Sequence, residues 1–336
     1  MVITDLYHPD EEPRPTRSAP LPGIEYAGRY GTRTALTQGW RAWLARSLGR
    51  EDLVNVAPAR IAAAVLPGGA PACATPLSYW IATPLHLSAG LAHVHLDHRG
   101  LLRLPEPQLA ALAGAFARTF AGSGFTLAPL PSGEFLLRAP GIEAVATTDP
   151  ERCAGGEIAA ALPRGAQAAG LRRTAAEIEM WLHAQGAAGR AAAEPTVNAL
   201  WLWGGAGAVA VPPVRAATPR RLACGADAYL HGLWHLEGGL CQALPASLAG
   251  LPQGDGPTYT VLALRVAQGL QESMQSTFTE SLRSLDERFI APGLGRLGAG
   301  GFGSVTLIGN DVALTLRRGS RWRRWRRSRG GLESFT

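Results

Sequence analysis

The chain contains no lysine: all 32 of its basic residues are arginine. Alanine is abundant, and with 41 glycines and 25 prolines the composition carries the bias of a high-GC bacterial genome, which speaks to source and not to function. Cysteine is scarce. Cys73, Cys153, Cys224 and Cys241 form no CxxC pair and no regular spacing, which excludes a disulfide framework and a four-cysteine zinc module and points to free thiols in a reducing cytoplasm. No apolar run approaches the ~20 residues that cross a bilayer, and MVITDLYHPDEEPRP lacks a basic start followed by an apolar core. A cytoplasmic protein that meets no membrane is expected. A P-loop, a GxSxG elbow and an internal repeat are also missing, so the best-defined nucleotide, hydrolase and solenoid signatures do not apply.

Apolar material, by contrast, is plentiful. With 336 residues, 46% of them hydrophobic, the chain has the length and content of a globular protein of two lobes. The formal net charge of +6 suggests an anionic partner until its location is considered. Eight arginines and no acid lie between Arg317 and Arg329, and without them the charge becomes −2. The body is close to neutral, so any argument for nucleic acid rests on that stretch alone.

Residues 1–30 are proline-rich and mixed in charge, the composition of an extended arm. Residues 31–75 read as helical. Leu36, Trp40, Trp43, Leu44 and Leu48 fall at helical spacing before Gly49, and a second helix is expected from Pro58 to Leu66. Residues 76–195 alternate strands near Tyr79–Leu87, His93–Leu96, Glu134–Arg138 and Ile142–Thr147 with helices near Pro107–Ala121 and Ala166–Ala184, which predicts an α+β lobe. Residues 196–336 open with a strand from Val197 to Trp203. A helix near Ala226–Leu236, a strand at Thr258–Val266, one helix from Gln271 to Ile290, and strands in SVTLIG and VALTLR follow. That order predicts a β-α-β half with a parallel sheet and a basic C-terminal tail.

Several patterns carry candidate chemistry. HVHLDH places His93, His95 and Asp97 on one face of a strand, with His86 and His98 nearby, and these are metal-ligand types. A divalent site usually draws ligands from more than one element, whereas alternating polar residues also describe the solvated face of an edge strand; the second reading is preferred. HGLWH sets His231 and His235 at i and i+4, a zinc-binding spacing, but no glutamate follows the first histidine, so metalloprotease chemistry lacks its base. Cys224 and Asp227 lie near this pair, and Asp311 is a further late carboxylate.

Gly293, Gly295 and Gly298 spell GxGxxG, yet they follow a helix and precede a strand. Gly205, Gly207 and Ala210 do follow a strand but run into Pro212 and Pro213. Neither aims a helix N-terminus at a pyrophosphate, and both are expected to be turns. No metal and no cofactor is expected. In the tail, Trp322 and Trp325 alternate with Arg321, Arg323, Arg324, Arg326 and Arg327, the composition of a base-stacking, phosphate-tracking segment. The preferred reading is that the two indoles dock on the body and leave the arginines in water.

The strand in VNALWLWGG, residues 197–205, raises the question of why two tryptophans and an asparagine stand in a buried run. In order, TTDP (147–150), LRRTAAEIEMWLHAQ, GAAGRAAAEP and VNALWLWGG resemble the archaeal-type, cofactor-independent phosphoglycerate mutases, in which a TDP-type turn, a long helix, an arginine loop and a strand ending in WLWG follow one another. LDHRGLLRLPEPQLAALAGAF resembles their inserted α+β domain, and SLDERFIAPGLGRL with SVTLIGND a late helix and strand of their core. The chain also resembles RpfE-type proteobacterial regulatory proteins, through WIATPLHL, NALWLWGG and RWRRWRR.

The mutase resemblance implies an incomplete alkaline-phosphatase-like α/β core with an α+β inserted lobe, and makes Asn198, Trp201, Leu202, Trp203 and Gly204 the family motif. Enzymes of that superfamily hold two divalent metals through aspartates and histidines and use an early serine or threonine nucleophile. Here no Asp-Gly-x-Gly-Asp-like strand precedes residue 75, and Asn310, Asp311 and Val312 stand where a late Asp-His pair would. Without those ligands two metals cannot be held, nor a nucleophile activated. The expectation is a non-catalytic regulatory or interaction protein with protein partners. The alternatives are a metal-dependent, phosphoglycerate mutase-like phosphotransfer enzyme and a nucleic-acid-binding regulator acting through the tail. Trp201 and Trp203 are expected to pack between the lobes, and Asn198 to satisfy loop backbone groups.

Overall fold

The computed structural model describes residues 1–6, 20–66, 77–91, 93–142, 145–186, 196–206, 213–216, 221–252, 259–320 and 335. The tail residues Arg321, Trp322, Arg323, Arg324, Trp325, Arg326 and Arg327 lie outside that set, as do Cys73, Gly207 and Ala210. The chain forms two compact units, one of Met1–Gly49, Pro219–Gly225 and Gln242–Thr336, the other of Arg50–Thr218 and Ala226–Cys241. Both combine strands with helices, so the protein is mixed α/β.

The first unit is built on a seven-stranded sheet in the order Cys241–Gln242, Arg221–Cys224, Tyr259–Leu264, Val2–Ile3, Ser304–Gly309, Val312–Arg317, Thr32–Ala35. From Arg221–Cys224 to Ser304–Gly309 neighbours run parallel; the last two strands are antiparallel. Asn310 and Asp311 turn the hairpin between Ser304–Gly309 and Val312–Arg317 at φ 46° and 61°, the left-handed pair a two-residue hairpin loop demands. Val2–Ile3 occupies the centre of this sheet, and Pro22–Tyr30 is a helix that buries Ile24 and Ala27. Residues 1–30 are therefore not simply an extended arm. Two apolar residues suffice for a strand when a parallel neighbour pairs on each side, and the proline content of the whole window hid them.

One face of the sheet packs Ile3, Leu264, Leu307 and Leu314 against Ile24, Leu270, Leu282, Leu285 and Phe289 of the helices, with Phe335 joining the same core. On the other face Val2, Ile308, Ala313 and Leu36 meet Trp40 and Trp43 of the helix Gly39–Ser47. The helix expected over 271–290 is broken into Val266–Glu272, Phe278–Leu285 and a π-helical turn at Asp286–Ile290. Thr277 and Glu280 form a reciprocal capping box that starts the middle piece. The final helix, Ala291–Ala299, contains Gly293, Gly295 and Gly298, which are helical and not turns. Pro292 pre-sets its first turn and Gly300, at φ 87°, ends it.

The second unit holds a four-stranded antiparallel sheet in the order Thr126–Pro129, Phe135–Pro140, Leu77–Leu85, Ala199–Ala206. Leu200, Leu202, Trp80, Phe135 and Leu137 pack from one face onto Phe116 of the helix Glu106–Thr119 and onto Ile178 and Trp181 of the helix Ala169–Gly186. The other face lies under the helix Pro58–Ala62, and the helix Ala228–Leu236 packs on that helix so closely that a Cβ at Gly232 would run into the Ile61 carbonyl. Covered on both faces, the strand Ala199–Ala206 reads as one continuous apolar run.

That strand and the helix Ala228–Leu236 thus fold with residues 76–195 rather than with the rest of 196–336. Periodicity shows that a strand exists; it does not show which strand it pairs with. No strand forms among the described residues of Ile142–Thr147. A small three-stranded sheet, Ser88–Ala89, Val94–Leu96 and Gly156–Glu157, completes the unit.

Candidate functional site

The tryptophan strand is an edge of its sheet, and residues 147–148 close that edge. Gly204 donates its backbone N–H to Thr147 Oγ1 at 3.0 Å, and Trp201 Nε1 donates to the Thr148 carbonyl at 2.8 Å. On the same face Trp203 Nε1 donates to Thr83 Oγ1 at 2.9 Å, and that hydroxyl donates in turn to Glu134 Oε1 at 2.7 Å. Glu134 Oε2 accepts from Ser132 Oγ and the Ala228 N–H at 3.0 and 3.2 Å. Arg103 Nη2 lies 3.3 Å from Glu134 Oε1 and 3.1 Å from Glu151 Oε1. Burial alone would lower the Arg103 pKa; the fields of Glu134, Glu151, Asp227 and Asp149 outweigh it and raise it. Both oxygens of Glu134 are thus committed. A buried network satisfied in this way fixes the strand in place and leaves that carboxylate no oxygen to present to a substrate.

Asn198 extends the ladder one step past the strand. Its Oδ1 accepts from the Leu87 N–H at 2.7 Å, its Nδ2 donates to the Leu87 carbonyl at 2.8 Å, and its own N–H bonds the Leu85 carbonyl at 3.0 Å. Leu202 points into the opposite core. Gly204, at φ 63°, would bring a Cβ to 3.0 Å from Pro58 Cβ. The groups that bond Trp201 and Trp203 through their indole N–H belong to the second unit.

The histidine patterns separate. His95 is exposed on Val94–Leu96, the middle strand of the small sheet and not an edge, and His93, also exposed, immediately precedes that strand. His93 Nδ1 stands 3.2 Å from Glu157 Oε2, and His95 is paired with Glu157 across the ladder. Asp97 accepts from the Arg99 N–H and caps the short turn His98–Gly100. His86 bonds the Thr196 carbonyl through Nδ1 at 2.8 Å. His231 and His235 are half-buried on the helix Ala228–Leu236, which Asp227 caps through the Leu230 N–H. Asp311 belongs to the first unit's hairpin. Among the described residues no group of three or more His, Cys, Asp or Glu side chains could hold a metal ion.

Two aspartates that the sequence reading missed do the corresponding structural work in the first unit, each with no exposed surface. Asp5 follows the central strand and accepts from the Val266 and Ala267 N–H groups at 2.7 and 2.8 Å. Asp286 accepts from the Gly23 and Ile24 N–H groups at 2.9 and 2.8 Å; burial raises its pKa against the pull of those bonds. Neither recipient helix has a capping side chain of its own. The remote carboxylates replace it. The available signal for Asp5 was an acid directly after the β-type run VIT. Burial also pushes the Cys153 and Cys224 thiols up to about 11, which removes them as nucleophiles at neutral pH.

Fold and geometry therefore define an α/β protein whose buried acids serve helix starts and arginines. No protein-family model matches the chain, and no curated protein does. Among solved structures it is similar to a cofactor-independent phosphoglycerate mutase from Thermoplasma acidophilum DSM 1728, at 13% identity and a TM-score of 0.36 over 94% of this chain and 86% of that one. It is also similar to the PH0037 protein from Pyrococcus horikoshii, at 12% identity and a TM-score of 0.44 over 94% and 84% of the two chains.

Proposed function

We propose that the chain is a non-catalytic regulatory or interaction protein of the RpfE type, acting in the cytoplasm through protein partners. The observation that carries this reading is the commitment of the buried carboxylates. Asp5 stands at the carboxyl end of a central parallel strand, the place where open α/β sheets bind ligands, yet both of its oxygens accept backbone N–H groups. Glu134 and Asp286 are committed in the same way. Metal-assisted phosphoryl transfer needs such oxygens turned toward the ion. Two segments of the RpfE-type resemblance, WIATPLHL and NALWLWGG, lie on paired strands of one sheet, which fits their being inherited as a structural unit. The test is incubation of the full chain with 2- or 3-phosphoglycerate and Mg²⁺, Mn²⁺ or Zn²⁺. Neither interconversion nor phosphate release is expected; metal-dependent turnover that a chelator abolishes would overturn the proposal in favour of the mutase-like enzyme.

A further inference from the structure

We propose that Tyr79, Arg138 and Arg60 form a binding site for an oxyanion of the phosphate type within the second unit. On the strand Leu77–Leu85, Trp80 and Ala82 enter the core around Phe116, so alternation turns Tyr79 to the opposite face. Leu137 and Ala139 enter the same core from Phe135–Pro140 and turn Arg138 away from it. Tyr79 and Arg138 stand directly opposite each other in the antiparallel ladder, and such a pair shares one face with Cβ atoms about 5 Å apart. That face lies under the helix Pro58–Ala62, from which Arg60 lays its guanidinium carbon 4.7 Å from the centre of the Tyr79 ring. Two arginines and a phenol from three elements thus meet on one face.

Two of these groups are donors without an acceptor. Tyr79 is 3% exposed, and its Oη is buried with no hydrogen-bond partner; Arg138 Nε is buried and unpartnered as well. A guanidinium can only donate, so an acceptor alone satisfies it, and a buried donor left unmade carries its full desolvation penalty. Among the described residues no carboxylate forms a salt bridge with Arg138. Arg60 is 7% exposed and sets a second positive charge beside the ring. An oxyanion answers both needs: its oxygens accept from the hydroxyl and from the guanidinium fork, and its charge offsets the arginines. Arg138 is only half-buried, which leaves a way in from solvent. The ligand is a phosphate group, free or at the end of a small molecule. The site is independent of the function proposed above: it holds an anion without requiring turnover.

The experiment is calorimetric titration of the full chain with inorganic phosphate, and separately with phenyl phosphate, at neutral pH and an ionic strength held constant with chloride. It is repeated on Y79F, on R138Q and on a variant with serine in place of Arg323, Arg324, Arg326 and Arg327, with circular dichroism as the fold control. One site per chain is expected. A hydrogen bond to a charged group is worth about tenfold or more in affinity, so Y79F and R138Q should each bind at least about tenfold more weakly, and the serine variant as the wild type does. Y79F keeps the ring beside Arg60 and removes only the hydroxyl. Its melting temperature without phosphate should match or exceed that of the wild type, while the rise that phosphate induces in the wild type should shrink, a pattern that a purely structural tyrosine would not give. Tighter binding of inorganic phosphate identifies a free ion and tighter binding of phenyl phosphate a terminal phosphate group; both sustain the site. The proposal is overturned if neither compound binds in excess of chloride, if a folded Y79F or R138Q binds unchanged, or if the serine variant loses the site.

Discussion

Trp203 makes two separable contributions, the bulk of a buried indole and an N–H that bonds Thr83. Emptying a large aromatic site costs about 3–5 kcal/mol, whereas losing one neutral hydrogen bond costs about 1 kcal/mol. Urea unfolding should therefore show Trp203→Ala less stable by about 3–5 kcal/mol, and Trp203→Phe less stable by about 1–2 kcal/mol, because phenylalanine keeps most of the bulk. Equal losses in the two variants would mean that the hydrogen bond, not the packing, holds the strand. The sequence made this stretch legible as a buried strand ended by glycine. It did not reveal that Trp203 bonds a threonine 120 positions away, since nothing local in NALWLWGG marks Thr83 as its neighbour. His93 and Glu157 present the same difficulty: each residue type was visible, but their adjacency arises from strand pairing alone.

At the scale of elements, the helix Pro22–Tyr30 begins without a cap of its own and takes one from Asp286, more than 250 residues later. Asp286→Ala would leave two buried N–H groups without acceptors, each at a cost of about 1–3 kcal/mol. The expected loss is about 2–5 kcal/mol, read by denaturant unfolding, with Asp286→Asn falling between because one oxygen remains. A wild-type midpoint for Asp286→Ala would mean that water caps the helix equally well. Local signals were uneven guides here. The capping box in TFTE was present in the sequence and marks the start at Phe278, yet apolar spacing carried the reading straight across it. In APGLGRLGA the glycines argued for turns, but Pro292 fixes the first turn, Leu297 is buried, and the packing outweighs the propensity.

For the whole molecule, an α/β chain of two units was legible from length, composition and element order, while the unit boundaries were not, because each unit gathers segments distant in sequence. Phe335 illustrates the point: it is 1% exposed and packs in the first unit's core beside Gly309, where a Cβ would come within 3.2 Å of its ring and closer still to Leu6. The sequence directed attention instead to Trp322 and Trp325 as anchors of the arginine stretch. If Phe335 is the anchor, Phe335→Ala should cost about 3–5 kcal/mol of stability, the range for emptying a buried phenylalanine site. Replacing Arg323, Arg324, Arg326 and Arg327 with serine should leave stability unchanged if their charges belong to water, since solvated surface charges contribute little to stability. The two variants also separate anchoring from anion binding. Several phosphate contacts would make nucleic-acid affinity fall with salt at a log–log slope of roughly −0.7 to −0.9 per contact. With a near-neutral body behind eight arginines, binding should be weak, independent of sequence and lost in the serine variant. A submicromolar, sequence-selective complex at physiological salt would instead make the arginine stretch the functional element and the protein a nucleic-acid-binding regulator.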